Sequence, residues 1–374
     1  MTRTLRILGI RGVPAAHGGF ETFAEMLALH LVAEGWRVIV YCQDEGKGPL
    51  RDDLWRGIER VHVPVGSSSA AASIRFDWHC VSDAARHRDL CLTLGYNTAV
   101  FCVRLRAAGV VNLINMDGIE WRRAKWGPVA RVWFWINERA GCWLGDHLIA
   151  DHPQIAAHLS TRTSSTRITT IPYGAESVTR DANADLSRFG LSSGRYLMLV
   201  ARAEPENSIL EIVQGYSART RGVPLLVLGA YRDDDAYHAR VKAAAGREVR
   251  FLGAVYDKLA LQELRAHALA YIHGHRVGGT NPSLVEALGA GNPVFAHDNL
   301  FNRWVAGPEA AYFSDAVALD GLLTLVLASS QRLQAMRQAS LLRHEAVFTV
   351  KTVMDQTTRL LERWLSAGAT PQRC

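Results

Sequence analysis

The chain has 374 residues, a length that at roughly 150 per domain points to about two domains. Lys and Arg number 42 against 36 Asp and Glu, a formal charge of +6, and 48% of residues are hydrophobic against 21% charged. These values exclude a disordered, collagenous or coiled-coil chain, and the charge is too modest for a typical nucleic-acid binder.

Short apolar runs alternate with helical patterns along the chain. Leu5–Ile10 reads as a strand, Phe20–Glu34 as a helix and Arg37–Cys42 as the next strand. Further strands are predicted at Val61–Val65, Asp89–Thr93, Val110–Asn115, His147–Ala150 and Ile168–Ile171. The second half repeats the pattern at Tyr196–Ala201, Leu225–Gly229, Val249–Leu252, Ala268–His273 and Pro293–Ala296, and a last helix at about Lys351–Leu365 carries Trp364. Strands separated by helices imply βαβ units and parallel sheets. The polar stretch Glu176–Arg195 is the expected boundary, giving domains over 1–185 and 186–345 and a C-terminal helical segment over 346–374 that packs on either domain. Ligands of such sheets bind beyond the C-terminal strand ends, so a cleft faced by both domains is expected.

Four loops carry candidate chemistry. The first, Gly9 to Glu21, places Gly18 and Gly19 before a helix, where free amides favour an anion or simply form a tight turn. It has no G-x-G-x-x-G fingerprint. The second, Asn115 to Trp126, offers Asp117 and Glu120 as sugar-hydroxyl acceptors or bases, and Arg122, Arg123 and Lys125 for an anionic acceptor. Asp117 as a plain helix cap is the alternative. The third, Arg202 to Asn207, follows a strand, and its guanidinium either grips phosphate oxygens or pairs with Glu204 or Glu206. The fourth runs Gly278-Gly279-Thr280-Asn281-Pro282-Ser283 into a helix carrying Glu286. Asn281 fits the cap and Pro282 the first helical position, so the helix start is a diphosphate seat and Glu286 a ribose acceptor. A capped structural helix with an exposed Glu is the other reading.

Trp121, Trp126, Trp133, Trp135 and Trp143 lie among Arg122, Arg123, Lys125, Arg131 and Arg139, either as buried core or as a basic, aromatic membrane-interface surface. His17, His273 and His275 lie near the candidate loops and read as structural. Cys42, Cys80, Cys91, Cys102, Cys142 and Cys374 form no CxxC pair, several sit in strand-like runs, and a reducing cytoplasm is expected. No apolar stretch approaches ~18 residues, and the first residues lack a signal peptide's apolar core.

Together these loops resemble the GT-B glycosyltransferases of the large retaining family 4, over essentially the whole chain. Three strings resemble a narrower bacterial rhamnosyltransferase branch of capsule, exopolysaccharide and O-antigen assembly: Asp117-Gly-Ile-Glu-Trp-Arg-Arg-Ala-Lys-Trp126, Glu204-Pro-Glu-Asn207, and the segment from His273 to Glu286. The resemblance implies two Rossmann-like domains facing across a cleft, and a nucleotide-diphosphate sugar as substrate. It implies transfer of a sugar, L-rhamnose from a dTDP donor, with retention to a lipid-linked saccharide, by an enzyme peripheral on the anionic inner face of the plasma membrane. Arg202, Asn207, Gly278, Gly279, Thr280, Asn281, Ser283 and Glu286, with Gly18 and Gly19, would serve the donor. Glu21, Arg122, Arg123 and Lys125 would serve the acceptor, and Asp117 and Glu120 the chemistry. No cofactor, no essential metal and no nucleic acid are implied. UDP- and GDP-linked sugars are alternative donors.

Three departures stand out. Gly278 replaces the first of two glutamates that the family spaces eight residues apart, Asn207 replaces the donor-phosphate Lys, and Asp117 replaces a strand-end His. Arg276 and Arg303 are candidate compensating cations. A non-catalytic nucleotide-sugar binder and an oxidoreductase with Asp44 on a dinucleotide ribose are the competing readings.

Overall fold

The computed structural model describes residues 3–16, 18–67, 69–123, 125–181 and 184–367, with side chains through residue 366. His17 and Cys374 therefore lie outside the described residues. The chain divides into two compact units, one of residues 1–172 joined by the C-terminal segment from Val353, the other Tyr173–Thr352. The division falls at Pro172, upstream of the polar stretch Glu176–Arg195. The final helix, Val350–Ala367, joins the first unit, where Arg3 pairs with Glu362 at 2.9 Å and Trp364 lies 5.6 Å from His147.

The first unit holds one eight-stranded sheet. Its strands are β1 (Thr4–Leu8), β2 (Arg37–Asp44), β3 (Arg51–Trp55), β4 (Ile58–Pro64), β5 (Leu90–Leu94), β6 (Asn112–Asn115), β7 (His147–Ala150) and β8 (Ile168–Thr170), in the order β3-β4-β2-β1-β5-β6-β7-β8. All neighbours pair parallel except β3 and β4. Strands β1 and β5 bury every residue, as continuous apolar runs inside a parallel sheet should.

Strand β3 escapes the sequence pattern for a physical reason. It is Arg-Asp-Asp-Leu-Trp, almost wholly exposed, with no apolar face to announce it. Its pairing comes from a two-residue turn, Arg56-Gly57, in which both residues have positive φ, the geometry that closes a hairpin. The Asp53 carboxylate then takes two hydrogen bonds, 2.5 and 2.7 Å, from Arg60, its partner across the strands.

The second unit has six parallel strands: β9 (Leu197–Val200), β10 (Leu225–Leu228), β11 (Val249–Gly253), β12 (Ala270–His273), β13 (Val294–His297) and β14 (Ala311–Phe313), in the order β11-β10-β9-β12-β13-β14. The short β14 was also unforeseen in the pattern. Alternate residues feed two cores: Leu197 and Leu199 enter one, Tyr196 and Met198 the other. Both sheets therefore belong to doubly wound α/β units. In the second, β9 and β12 are bonded neighbours whose connections run to opposite sides, so their following loops part at a topological switch point, where such sheets take ligands.

Candidate functional site

In the second unit the switch point brings together the two segments singled out after β9 and β12. Arg202 is exposed and, among the described residues, pairs with no carboxylate, so Glu204 and Glu206 do not neutralise it. Its position is fixed through the backbone: buried Asn207 donates its side-chain amide to the Arg202 carbonyl at 2.8 Å. Asn207 is thus a loop brace. It also explains Gly274, since a Cβ there would stand 2.2 Å from the Asn207 carbonyl oxygen.

The loop beyond Gly274 is open. Gly278 has φ +119°, a conformation glycine permits, and a side chain there would meet nothing within 4 Å. Gly279 is half-buried and Thr280 buried. Asn281 caps the helix Pro282–Gly289, accepting from the Ser283 amide at 3.1 Å and from the Ser283 hydroxyl at 2.8 Å. Pro282 occupies the first turn, as its spacing predicts. Arg276 leans over the opposite rim, donating to Ser208 Oγ at 2.7 Å and to Glu211 at 2.8 Å. Arg303 is not available as a compensating cation, because Asp298 takes both ends of its fork at 2.5 and 2.8 Å.

Glu286 is not free either. The carboxylate pairs with Arg265, a side chain buried to 4% exposure, while its own remains 42% exposed. Arg265 was invisible to motif reasoning. His273, which the sequence reading takes as structural, is fully buried at the end of β12, with neither ring nitrogen hydrogen-bonded. It stacks on His275 at 4.4 Å, and burial holds it neutral, far below the usual histidine range.

The first unit presents a different picture. The Gly9–Gly19 loop follows β1, and its first two glycines are required by packing. A Cβ on Gly9 would stand 2.3 Å from the Leu94 carbonyl oxygen, and one on Gly12 would stand 2.8 Å from Cys42 Sγ. Gly18 caps the helix Gly19–Ala33 with extended backbone. Two carboxylates from that helix fill the loop: buried Glu21 takes the Arg11 amide at 3.4 Å and Glu25 takes the Ala15 amide at 2.7 Å. Both acids thus answer amides of the loop, upstream of the helix start at Gly18 and Gly19.

Beyond β6, Asp117 stands in the left-handed region at φ +50°, its amide held by the Asn115 side chain at 3.1 Å. Burial, and next the neighbouring Glu120 carboxylate, push its carboxyl up to about 6, which suits proton exchange near neutrality. Glu120 is buried and engaged. It accepts from Arg123 at 2.8 Å and from the Trp126 indole at 2.8 Å, with Lys125 at 3.8 Å, while its amide donates to Tyr96 Oη at 2.8 Å. Arg122 stays exposed over the Trp121 ring. The loop is anchored below by Glu138, a buried carboxylate that takes the Trp121 indole at 2.8 Å, His158 at 3.0 Å and Arg162 at 2.7 Å. Burial opposes its charge, but the His158 and Trp121 hydrogen bonds prevail and lower its pKa.

The tryptophan cluster divides. Trp121, Trp126 and Trp133 are half-buried with their indole N–H groups bonded inside the protein, whereas Trp135 and Trp143 are exposed. Cys42, Cys80, Cys91, Cys102 and Cys142 are buried and unpaired, and burial raises every one of these thiols.

Residues 2–176 match a domain of unknown function, DUF1972. No curated protein matches the chain. Among solved structures it is similar to sucrose-phosphate synthase from Thermosynechococcus elongatus, with 18% identity, a TM-score of 0.81, and coverage of 98% of this chain and 100% of that one. It is also similar to Anabaena HepE in complex with UDP, at 13% identity and TM-score 0.76, covering 97% and 100% of the two chains. The α,α-trehalose 6-phosphate synthase from Burkholderia multivorans gives 13% identity and 0.75, covering 100% and 99%. At these identities the likeness concerns the fold, which is the GT-B fold of two parallel-sheet α/β units.

Proposed function

We propose that this protein is a glycosyltransferase that takes its sugar from a nucleoside diphosphate. One observation carries the reading. At the switch point of the second unit an unpaired Arg202 and an open glycine loop stand beside an Asn-capped helix start, a set of donors suited to a diphosphate. The whole-chain likeness to a protein bound to UDP supports it. In this reading Arg202, the amides of Gly278 to Ser283 and the helix dipole neutralise the leaving diphosphate, with Asn207 holding Arg202 in place. Glu286 meets the ribose while shared with Arg265.

The finer reading follows the sequence strings: L-rhamnose leaves dTDP and joins a hydroxyl of a lipid-linked saccharide with retention. The bond from the anomeric carbon to the diphosphate breaks, the bond to the acceptor oxygen forms, and the acceptor proton passes to the departing phosphate oxygen or to Asp117. Asp117 suits that role better than Glu120, whose oxygens are already occupied. No metal is assigned to the transfer, and EDTA is expected to leave turnover unchanged.

Purified protein incubated with dTDP-rhamnose and a lipid-linked glucose acceptor should release dTDP. Parallel assays with UDP- and GDP-sugars decide the donor. Arg202→Ala should abolish release with an unchanged melting temperature, and undiminished release in that variant would sink the donor-site assignment. Glu286→Ala is a poorer test, since it strands buried Arg265 and costs stability by itself.

A further inference from the structure

The helix Pro128–Leu144 turns one face into the first unit and leaves the other uncovered. Asn137, Glu138, Gly141 and Cys142 face inward and are buried. Val129 (85% exposed), Val132, Trp135, Ile136 and Trp143 (69%) all face out. At about 100° per residue these five and Arg139 fall within roughly 120° of arc, a continuous apolar stripe. Single exposed hydrophobic side chains are ordinary, but a stripe of this size along one helix is not.

The stripe ends at a pocket. Arg139, Cys142, Trp143, Arg162, Thr163 and Arg167 line an open depression of about 300 Å³ at the C-terminal end of the same helix. Among the described residues, neither Arg139 nor Arg167 pairs with a carboxylate; Arg139 lies over the Trp135 ring at 3.5 Å, and Arg167 is held by Thr163 Oγ1 and the Gly145 and Asp146 carbonyls. Arg106 adds a further cation 5.9 Å from the Trp143 ring, donating to the Trp143 carbonyl. Arg162 is spent on Glu138. An apolar ridge running into uncompensated arginines matches an amphiphile with an anionic head. Exposed indoles bracketed by guanidinium groups sit well at the boundary between acyl chains and headgroups.

We infer that this face of the first unit docks on an anionic phospholipid bilayer, with Val129, Val132, Trp135, Ile136 and Trp143 against the acyl boundary and the Arg139–Arg167 pocket receiving a lipid phosphate. The inference deepens the proposed function, because it gives a lipid-linked acceptor a surface from which to arrive. It also moves the membrane contact away from Trp121, Trp126 and Trp133, which serve the interior.

Full-length protein should sediment with vesicles of phosphatidylcholine doped with phosphatidylglycerol and stay in solution with phosphatidylcholine alone. Arg139→Gln should weaken that binding by about fivefold, the effect of one basic side chain near an anionic leaflet. Val132→Ser with Trp143→Ser should weaken it by at least about tenfold, with melting unchanged because both side chains are exposed. Brominated lipid should quench tryptophan fluorescence in the native protein and much less in the Trp135→Phe, Trp143→Phe protein. Equal binding to neutral vesicles, or full binding by both sets of variants, overturns the inference. So does protection of the pocket by inorganic phosphate in a protein that never pellets with vesicles, which would make it a site for soluble anions. Self-association through the same face without lipid binding also overturns it. No sugar nucleotide enters these measurements, so vesicle binding without donor turnover would sink the glycosyltransferase reading alone, and turnover without vesicle binding would sink this one alone.

Discussion

Two loops in this molecule have the same ancestry in topology and opposite fates in chemistry. Each leaves the central strand of a parallel sheet, passes through glycines and enters a helix. The loop after β1 is filled by its own helix, with Glu21 and Glu25 satisfying the amides of Arg11 and Ala15. The loop after β12 is capped by a neutral Asn281, meets nothing at Gly278, and adjoins the segment of Arg202, which among the described residues has no carboxylate partner. A glycine-rich turn before a helix is therefore not an anion site until the local charge has been read. Loop amides are already answered by carboxylates in the first case, whereas the second keeps a neutral cap beside an open glycine, the arrangement on which the proposed diphosphate seat rests.

Glycine substitutions test the comparison most severely. Gly9→Ala and Gly274→Ala each drive a methyl into a carbonyl oxygen, at 2.3 and 2.2 Å. Each should cost about 3 kcal/mol or more in a urea melt, because backbone must move. Gly278→Ala meets open space and bears only the penalty of its positive φ, about 1 kcal/mol. Equal losses at all three positions would break the distinction between glycines that pack and a glycine that leaves room.

Charge substitutions come next. Arg202→Ala should weaken binding of a nucleoside diphosphate by about 10- to 100-fold in calorimetry, the range of one charge-assisted contact. Glu21→Gln should not weaken it at all. A loss of binding in Glu21→Gln as large as in Arg202→Ala would show that the first loop, too, takes part in holding the donor.

Much of this was legible before any coordinates. Apolar runs marked the central strands, and Asn281-Pro282 marked a helix start, because capping and the fixed φ of proline act locally. What stayed hidden was long-range. Strand β3 is charged and exposed, and the Arg56-Gly57 turn, the ladder to β4 and ion pairs such as Asp53–Arg60 hold it in register. Arg265 reaches Glu286 from another helix, and Asp298 takes Arg303 out of use. Sequence patterns name which groups are present; folding decides which of them are already paired. Glu120 and Asp117, three residues apart and equal as motifs, show it most directly, since one is tied to Arg123 and Trp126 while the half-buried other has a backbone partner at Gly118.

That last pair supplies the smallest effect and a two-sided one. Asp117 bears an unfavourable buried charge at pH 7, and a left-handed φ that asparagine also tolerates. Its carboxyl titrates near 6 in the folded protein and near its ordinary value when unfolded, so the folded state binds the extra proton between those limits. The stability this gives is complete below the unfolded value of about 4 and is lost as pH rises through 6. Asp117→Asn removes that loss. Its melt at pH 7 should be more stable by about 1–2 kcal/mol, and the gain should vanish as pH falls toward about 4. In the proposed transfer, turnover should move the other way: the native protein should lose kcat below about pH 6 as the carboxylate is protonated, and the variant should be slow at every pH, without that limb. A variant that is both stabilised and fully active would mean that the buried charge serves neither the fold nor the reaction.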